Sequence, residues 1–303
     1  MTPTTPVLFE PVTLQNQDEF KAAASILNRA SCECSFVNIY VWRDVYDNVF
    51  SRVAGRIIIL ARSVRSLHFP MGEWFAPAEL ERVRRAVAEA AGMPLVWADV
   101  PPDYVESYAD ELAALYEVST LEAEDDYLYR TDKLAVIEGN CHQNTRRLLR
   151  HFEREVSGSR FEPLDTAAAP ALMELAQSLQ AEHPVEGAAQ EQMALACALQ
   201  NFEELGLEGR QLLDAHGGVM AFSIWSFLTP SVVDVHFEKA VRHQAGTAQR
   251  IRIGVARSLH GRAEWINLEQ DVGSPGLRQA KRSYCPDLML KRYILTPRRE
   301  ETA

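Results

Sequence analysis

The sequence predicts an α/β (α+β) protein made of two successive units. Three observations carry that expectation. Short β-branched runs alternate with stretches of helical period along the whole chain. At 303 residues the chain exceeds the usual size of one compact core. The alternation also runs through twice with no proline- or glycine-rich linker, which predicts paired domains at 1–155 and 156–303 without an underlying sequence repeat.

The elements follow in order. "QDEFKAAASILNRA" at 17–30 puts Phe20, Ala24 and Leu27 on one helical face, and "RIIILARSV" at 56–64, bounded by Gly55, is short and β-branched like a strand. In 76–92, Pro77 suits a first helical turn, Leu80, Val83 and Val87 form one apolar stripe, and Gly92 is a stop signal. "PLVWADVPP" at 94–102 then reads as a buried strand. "GNCHQNTRRLLRHFERE" at 139–155 is a helix with Leu148, Leu149 and Phe152 as its apolar stripe.

In the second half, a helix at 189–205 turns Leu195, Leu199 and Phe202 inward. A hairpin bending at Gly217-Gly218 comes next, then the strand "SVVDVHFEKA" at 231–240. Within 242–260, a turn at Gly246 opens a helix with Ile251, Val255 and Leu259 inward. The last helix, "SPGLRQAKRSY" at 274–284, has Ser274 as N-cap and Pro275 at its first position.

Composition excludes several classes. The apolar share of 47% with 24% charge is enough to fold throughout, so disorder, collagen and coiled coil are excluded. A net charge of −11 argues against general nucleic-acid binding, which rests on many Lys and Arg contacts, so any anion site must be local. The longest apolar stretches, "RIIIL" and "VMAFSIWSFL", fall far short of the ~20 residues of a membrane helix. "MTPTTPVLFEPV" lacks the basic start and apolar run of a secretory signal, which predicts a cytoplasmic protein. The five cysteines are odd in number and scattered, so reduced thiols are expected. Cys32-x-Cys34 is too tightly spaced for a zinc knuckle and reads as two small buried residues, so no metal site is expected.

Four stretches carry candidate chemistry. In "SVVDVHFEKA", strict alternation places Asp234, His236 and Glu238 on one face in steps of about 7 Å, a row able to hold a general base, against the plainer reading of a solvated sheet face. Gly246 between strand and helix offers an anion site of free N–H groups, or simply a turn. Arg146, Arg147, Arg150 and Arg154 make a local basic cluster for a phosphate-bearing ligand, unless Glu153 and Glu155 merely offset them. In 266–286, helix capping leaves unexplained the density of Asn267, Glu269, Gln270 and Asp271 at a strand's C-terminal end, where α/β sheets present ligand sites. Tyr284 belongs to the same rim, and Arg278 and Lys281, three apart, are expected to grip one anion together.

"HFEKA" at 236–240 followed by "NLEQDVGSPGLRQAKRSYCP" at 267–286 resembles the bacterial family that shares the C-terminal domain of phosphatidylglycerol lysyltransferase. "CSFVNIYVWRDVY" at 34–46 and "YLYRTDKLAVIEGNCHQNTRRLLRHFE" at 127–153 resemble its other blocks, so the resemblance covers nearly the whole chain. It implies two tandem GNAT-like acyltransferase domains, each a mixed sheet flanked by helices, an architecture shared with the aminoacyl-tRNA-dependent transferases of peptidoglycan cross-bridges. By the same resemblance, His236, Glu238, Lys239, Asn267, Glu269, Gln270, Asp271, Arg278, Lys281 and Tyr284 fall on the family motif. Gly246, Asn267 and Tyr284 take the stations that in such folds hold a cofactor pyrophosphate, contact its arm and protonate the leaving group. Residues 142–145 depart from the family's lysine-rich run, which weakens a shared polyanionic ligand.

The implied activity is acyl or aminoacyl transfer from acyl-CoA or aminoacyl-tRNA, used as co-substrate with no tightly bound cofactor, to an amine or hydroxyl acceptor. Glu238 or Glu269 is the expected base and Tyr284 the expected acid. The competing reading is a non-catalytic GNAT-like protein that binds a small molecule or peptide. No oligomeric state follows from the pattern.

Overall fold

The computed structural model describes residues 6–182 and 187–298. Its class is mixed α/β, with two seven-stranded mixed sheets flanked by helices. The chain divides into two compact units, one running to Asp125 and resuming at Leu290, the other spanning Asp126–Met289. The expected boundary at 155/156 is thereby displaced: residues 126–155 belong to the second unit, and the final strand returns to the first.

The first unit contains β1 (Glu10–Pro11), α1 (Gln17–Leu27), α2 (Phe36–Val41), α3 (Arg43–Tyr46), β2 (Asn48–Val53), β3 (Arg56–Ala61), β4 (Ser66–His68), α4 (Pro77–Ala91), β5 (Val96–Val100), α5 (Pro102–Ser107), α6 (Ala109–Leu115) and β6 (Tyr116–Thr120). The last strand of the chain, β14 (Tyr293–Pro297), completes the sheet in the order β1-β2-β3-β4-β5-β14-β6. β4 and β5 are parallel, and the crossover between them is α4. That helix forms as its sequence dictates: Pro77 occupies the first turn, Leu80 and Val87 are fully buried, and Gly92 ends it in the left-handed conformation. Cys32 and Cys34 are buried in the turn before α2.

The second unit contains β7 (Asp126–Arg130), α7 (Thr131–Val136), α8 (Gln143–Glu155), β8 (Arg160–Pro163), α9 (Ala169–Glu182), α10 (Ala188–Gln200), β9 (Glu208–Leu213), β10 (Val219–Thr229), β11 (Val232–Ala240), α11 (Thr247–Leu259), β12 (Trp265–Asn267), α12 (Pro275–Arg282) and β13 (Leu288–Leu290), with sheet order β13-β7-β12-β11-β10-β9-β8. On one face, Trp225, Val233 and Val235 pack with Ile251 and Val255 of α11 and with Leu149 and Phe152 of α8. On the other face, α9 packs on β10 and β11.

Two irregularities in this sheet position the site. β11 and β12 run parallel, but their pairing stops at Asp234↔Asn267 while β11 continues to Ala240. The chain after Asn267 stays with β7 through Leu268 N–H to Tyr127 O and Tyr127 N–H to Glu269 O, so β12 parts from β11 at that point. The second irregularity is a β-bulge. β10 and β11 pair Ile224↔Phe237 and then Trp225↔Val235, which leaves His236 as an extra residue. Among the described residues, no helix is long and apolar enough to cross a membrane.

Candidate active site

The bulge redistributes the expected row of polar side chains. One extra residue reverses the facing of everything beyond it, so Asp234 and His236 share a face while Glu238 turns to the opposite one. There Glu238 meets α11, its carboxylate 2.7 Å from Arg252, with both side chains largely buried. Arg252 also lies 4.5 Å from the centre of the Tyr284 ring. The predicted single face of Asp234, His236 and Glu238 is thus corrected: Glu238 is ion-paired under the sheet. Lys239 turns back toward α10 and pairs with Glu191 at 2.7 Å.

What remains on the other face is a compact proton-handling group where β12 leaves β11. His236 Nε2 is 2.8 Å from Ser226 Oγ of β10, and its Nδ1 is 3.3 Å from Glu269 and 3.6 Å from Asp234. The His236 and Asp234 side chains are wholly buried, whereas the Glu269 side chain keeps 20% exposure and forms the solvent-facing end of the chain. Glu269 has a φ of +57°, a left-handed conformation that costs a side-chain-bearing residue energy and persists only where surroundings impose it. The imposed contacts are visible: its N–H donates to Asn267 Oδ1 at 2.6 Å and its C=O accepts from Tyr127.

The rest of the motif holds that turn. Asp126 accepts from Asn267 Nδ2 at 2.9 Å and from Gln270 Nε2 at 3.0 Å. Asp271 accepts from Tyr127 OH, from Arg278 through two nitrogens at 2.8 and 3.0 Å, and from Gly273 N–H. Burial alone would raise the Asp271 carboxyl; these donors outweigh it and bring it down to about 2. Lys281, almost fully buried, donates to Leu268 O at 2.5 Å and to Gln270 O, and Tyr129 OH closes the knot on Lys281 O. Arg278 and Lys281, expected to grip one anion, instead hold a carboxylate and two carbonyls of their own chain. Ser274 caps α12 as expected, accepting from Leu277 N–H.

Gly246, the basic helix α8 and Tyr284 each make contacts within the unit. Gly246 has a φ of +92°, but a Cβ there would lie 2.4 Å from Leu148 O and 2.8 Å from Phe152 Cβ. Glycine is therefore required here for the close approach of α8. Arg146 donates to the carbonyls of Ile137 and Gly139, which follow α7, and Arg150 bonds Arg146 O from an exposed position. Tyr284 is 3% exposed in the core, and burial, opposed by Arg252, pushes its hydroxyl up to about 12.

Residue-by-residue reading of the sequence passed over Ser226, Arg252, Asp126 and Tyr127. The first two lie on elements whose pairing is tertiary. Asp126 and Tyr127 had a local signal, an acidic residue directly before the alternating "YLYR", but their partners lie about 140 residues later.

Residues 24–296 match the family described as phosphatidylglycerol lysyltransferase, C-terminal. A search of curated proteins finds no match. A conserved protein of unknown function from Bacteroides thetaiotaomicron is similar over 96% of this chain and all of its own, at 26% identity and a TM-score of 0.88. The C-terminal domain of a lysylphosphatidylglycerol synthetase candidate from Agrobacterium fabrum shares the fold at TM-score 0.62 and 16% identity, over 92% of each chain. L-PGS from Bacillus licheniformis does so at 0.63 and 13%, over 92% of this chain and 91% of its own. The match across 24–296 takes in both units and the whole 267–286 motif, and the chain therefore belongs to the phosphatidylglycerol lysyltransferase C-terminal family.

Proposed function

We propose that this chain is an acyl- or aminoacyltransferase of tandem GNAT-like build that moves its group to an amine or hydroxyl acceptor at the opening between β11 and β12. The observation that carries the reading is the Glu269–His236–Ser226 chain. A partly exposed carboxylate is fixed in a left-handed turn and backed by a buried imidazole. Family membership supplies the reaction class.

In this reading the acceptor's N–H or O–H proton passes to Glu269 as the acceptor attacks the donor carbonyl, and His236 Nδ1 stabilises the carboxyl group that results. The leaving thiolate or tRNA alkoxide takes a proton from solvent, because Tyr284 is enclosed in the core, and Glu269 returns its proton to solvent. The packed Gly246 turn favours an aminoacyl ester over acyl-CoA as donor, since a CoA pyrophosphate would seek the N–H groups of such a turn.

The test is a thermal-shift series with acetyl-CoA, a longer acyl-CoA, a non-hydrolysable lysyl-adenylate analogue and free amino acids, followed by transfer assays with charged tRNA. A specific ligand at about 100 times its Kd adds roughly 2.7 kcal/mol of stability. Binding and turnover of an aminoacyl donor, abolished in Glu269→Gln, is the expected result; transfer that survives Glu269→Gln would sink the assignment. The self-satisfied bonds of Asn267, Gln270, Asp271, Arg278 and Lys281 favour a second reading, a non-catalytic binder of a small molecule or peptide. Ligand stabilisation without transfer for any donor would select it.

A further inference from the structure

A second cluster lies in the same unit and shares no side chain with the His236 group. Cys141 and His142 stand in the turn that enters α8, and Cys285 follows α12 with a φ of +53°. One sulfur from each cysteine and one imidazole nitrogen lie within 4.8 Å of one another. They line a cavity of about 530 Å³ together with Tyr129, Lys133 and Asp287. His142 is 6% exposed, and its Nδ1 is buried with no hydrogen-bond partner in the protein. A buried polar nitrogen left without a partner costs free energy unless a ligand occupies it. Cys141 is exposed and Cys285 half-buried, so the cluster is reachable from solvent.

We propose that Cys141, His142 and Cys285 form a zinc site with an open fourth position facing the cavity. Thiolate and imidazole ligands together select zinc among common divalent ions, at about 2.3 Å for sulfur and about 2.0 Å for nitrogen, and three protein ligands plus one exchangeable position is an established zinc arrangement. Binding one Zn²⁺ converts two thiols to thiolates and releases their two protons to solvent, without oxidation or reduction. Asp287 does not supply the fourth ligand: one of its oxygens pairs with Lys133 and the other accepts from Arg130 N–H. The bound ion would clip the entry of α8 to the segment just after α12. Cys141 and Cys285 are distant in sequence and are brought together by the fold of the second unit.

The experiment uses the full chain, reduced and stripped with chelator, then titrated with Co²⁺ and with Zn²⁺ against a chromophoric chelator. One equivalent of cobalt should bind with a near-ultraviolet thiolate-to-cobalt charge-transfer band, zinc should displace it, and zinc should raise Tm. Cys285→Ser and the exposed-site variant Cys141→Ala should each lose the band and the zinc-dependent rise. Because Cys141 is exposed, its replacement leaves the fold intact and keeps the comparison valid. Absence of the band in the reduced wild type, or its survival in both variants, overturns the proposal.

Discussion

In each unit a parallel strand pair has, close to where its pairing ends, an acidic residue in the left-handed conformation, yet the two carboxylates meet different partners. In the first unit the β4–β5 pairing ends at His68↔Ala98, and Asp99 follows with a φ of +56°. Its carboxylate is clamped by two Arg29 nitrogens at 2.8 and 3.1 Å and by Ser31 at 2.7 Å, with the side chain 5% exposed. In the second unit the β11–β12 pairing ends at Asp234↔Asn267 and Glu269 follows at +57°, partly exposed and facing a histidine. A left-handed acidic residue close to the end of a parallel pairing thus recurs in both units, inside β5 in the first and in the turn after β12 in the second. The partner differs in kind: the Arg29 guanidinium offers only donors and engages both Asp99 oxygens, whereas Glu269 faces an imidazole, whose two nitrogens can serve as donor and acceptor.

The largest effect expected from breaking this comparison is on turnover. Once a donor is identified, Glu269→Ala should lower kcat by about 10²–10⁴-fold, the range for a lost acid–base group. Asp99→Ala, assayed per folded molecule, should leave kcat within a few-fold. Equal losses in the two variants would mean that the turns share one structural role.

Next in size is the cost of removing the clamps. Asp271→Ala removes a carboxylate that Arg278, Tyr127 and Gly273 N–H donate to, and Asp99→Ala removes one that Arg29 and Ser31 donate to, although Arg29 keeps its bond to the carbonyl of residue 99; each should cost about 3 kcal/mol in urea unfolding. A loss below about 1 kcal/mol would show that the network is not holding its turn.

Acid sensitivity sharpens the contrast within stability. Asp271 in the second unit and Glu81 in the first, the latter held by Arg84 and Arg85, both sit at about 2, because these donors outweigh the burial that would raise them. A carboxyl lowered by folding stabilises the protein above its unfolded value of roughly 4, and that stabilisation is lost as pH falls toward 2. Denaturant midpoints should therefore be nearly flat for these groups above pH 5 and drop between about pH 4 and pH 2. Asp271→Asn should flatten part of that drop; an unchanged profile would show that Asp271 does not carry it.

The smallest expected effect belongs to the support behind the base. Ser226→Ala removes the partner of His236 Nε2 and should lower kcat by about 3–10-fold, worth roughly 1 kcal/mol, with a shifted pH–rate profile that a purely structural change would not produce.

Local pattern alone made much of this protein legible. Pro77 and Gly92 bound α4 as read, Gly217-Gly218 turns the β9–β10 hairpin, and Ser274-Pro275 starts α12, because caps and turns are governed by a few adjacent dihedrals. The motif residues that gather around the β12 turn were also visible as unusual in the sequence. Their division of labour was not. Glu269 stands apart from Asn267 and Asp271 only once hydrogen bonds to Asp126 and Tyr127 of β7, far away in sequence, engage those two side chains, while Lys281 is engaged by the carbonyls of Leu268 and Gln270.

The sequence by itself determined the α/β class, the run of helices and strands, the apolar faces and the family motif, all of which depend on periodicity and on neighbours within a few residues. Only the tertiary structure decided that the first unit ends at Asp125 and reclaims the chain's last strand. It alone turned Glu238 away from His236 through a one-residue bulge, filled the Gly246 turn with α8, and brought Cys141 to Cys285. The physical reason is common to all four. Strand partner and register are chosen by the summed packing and hydrogen bonding of distant segments, and a single residue of register reverses which side chains meet.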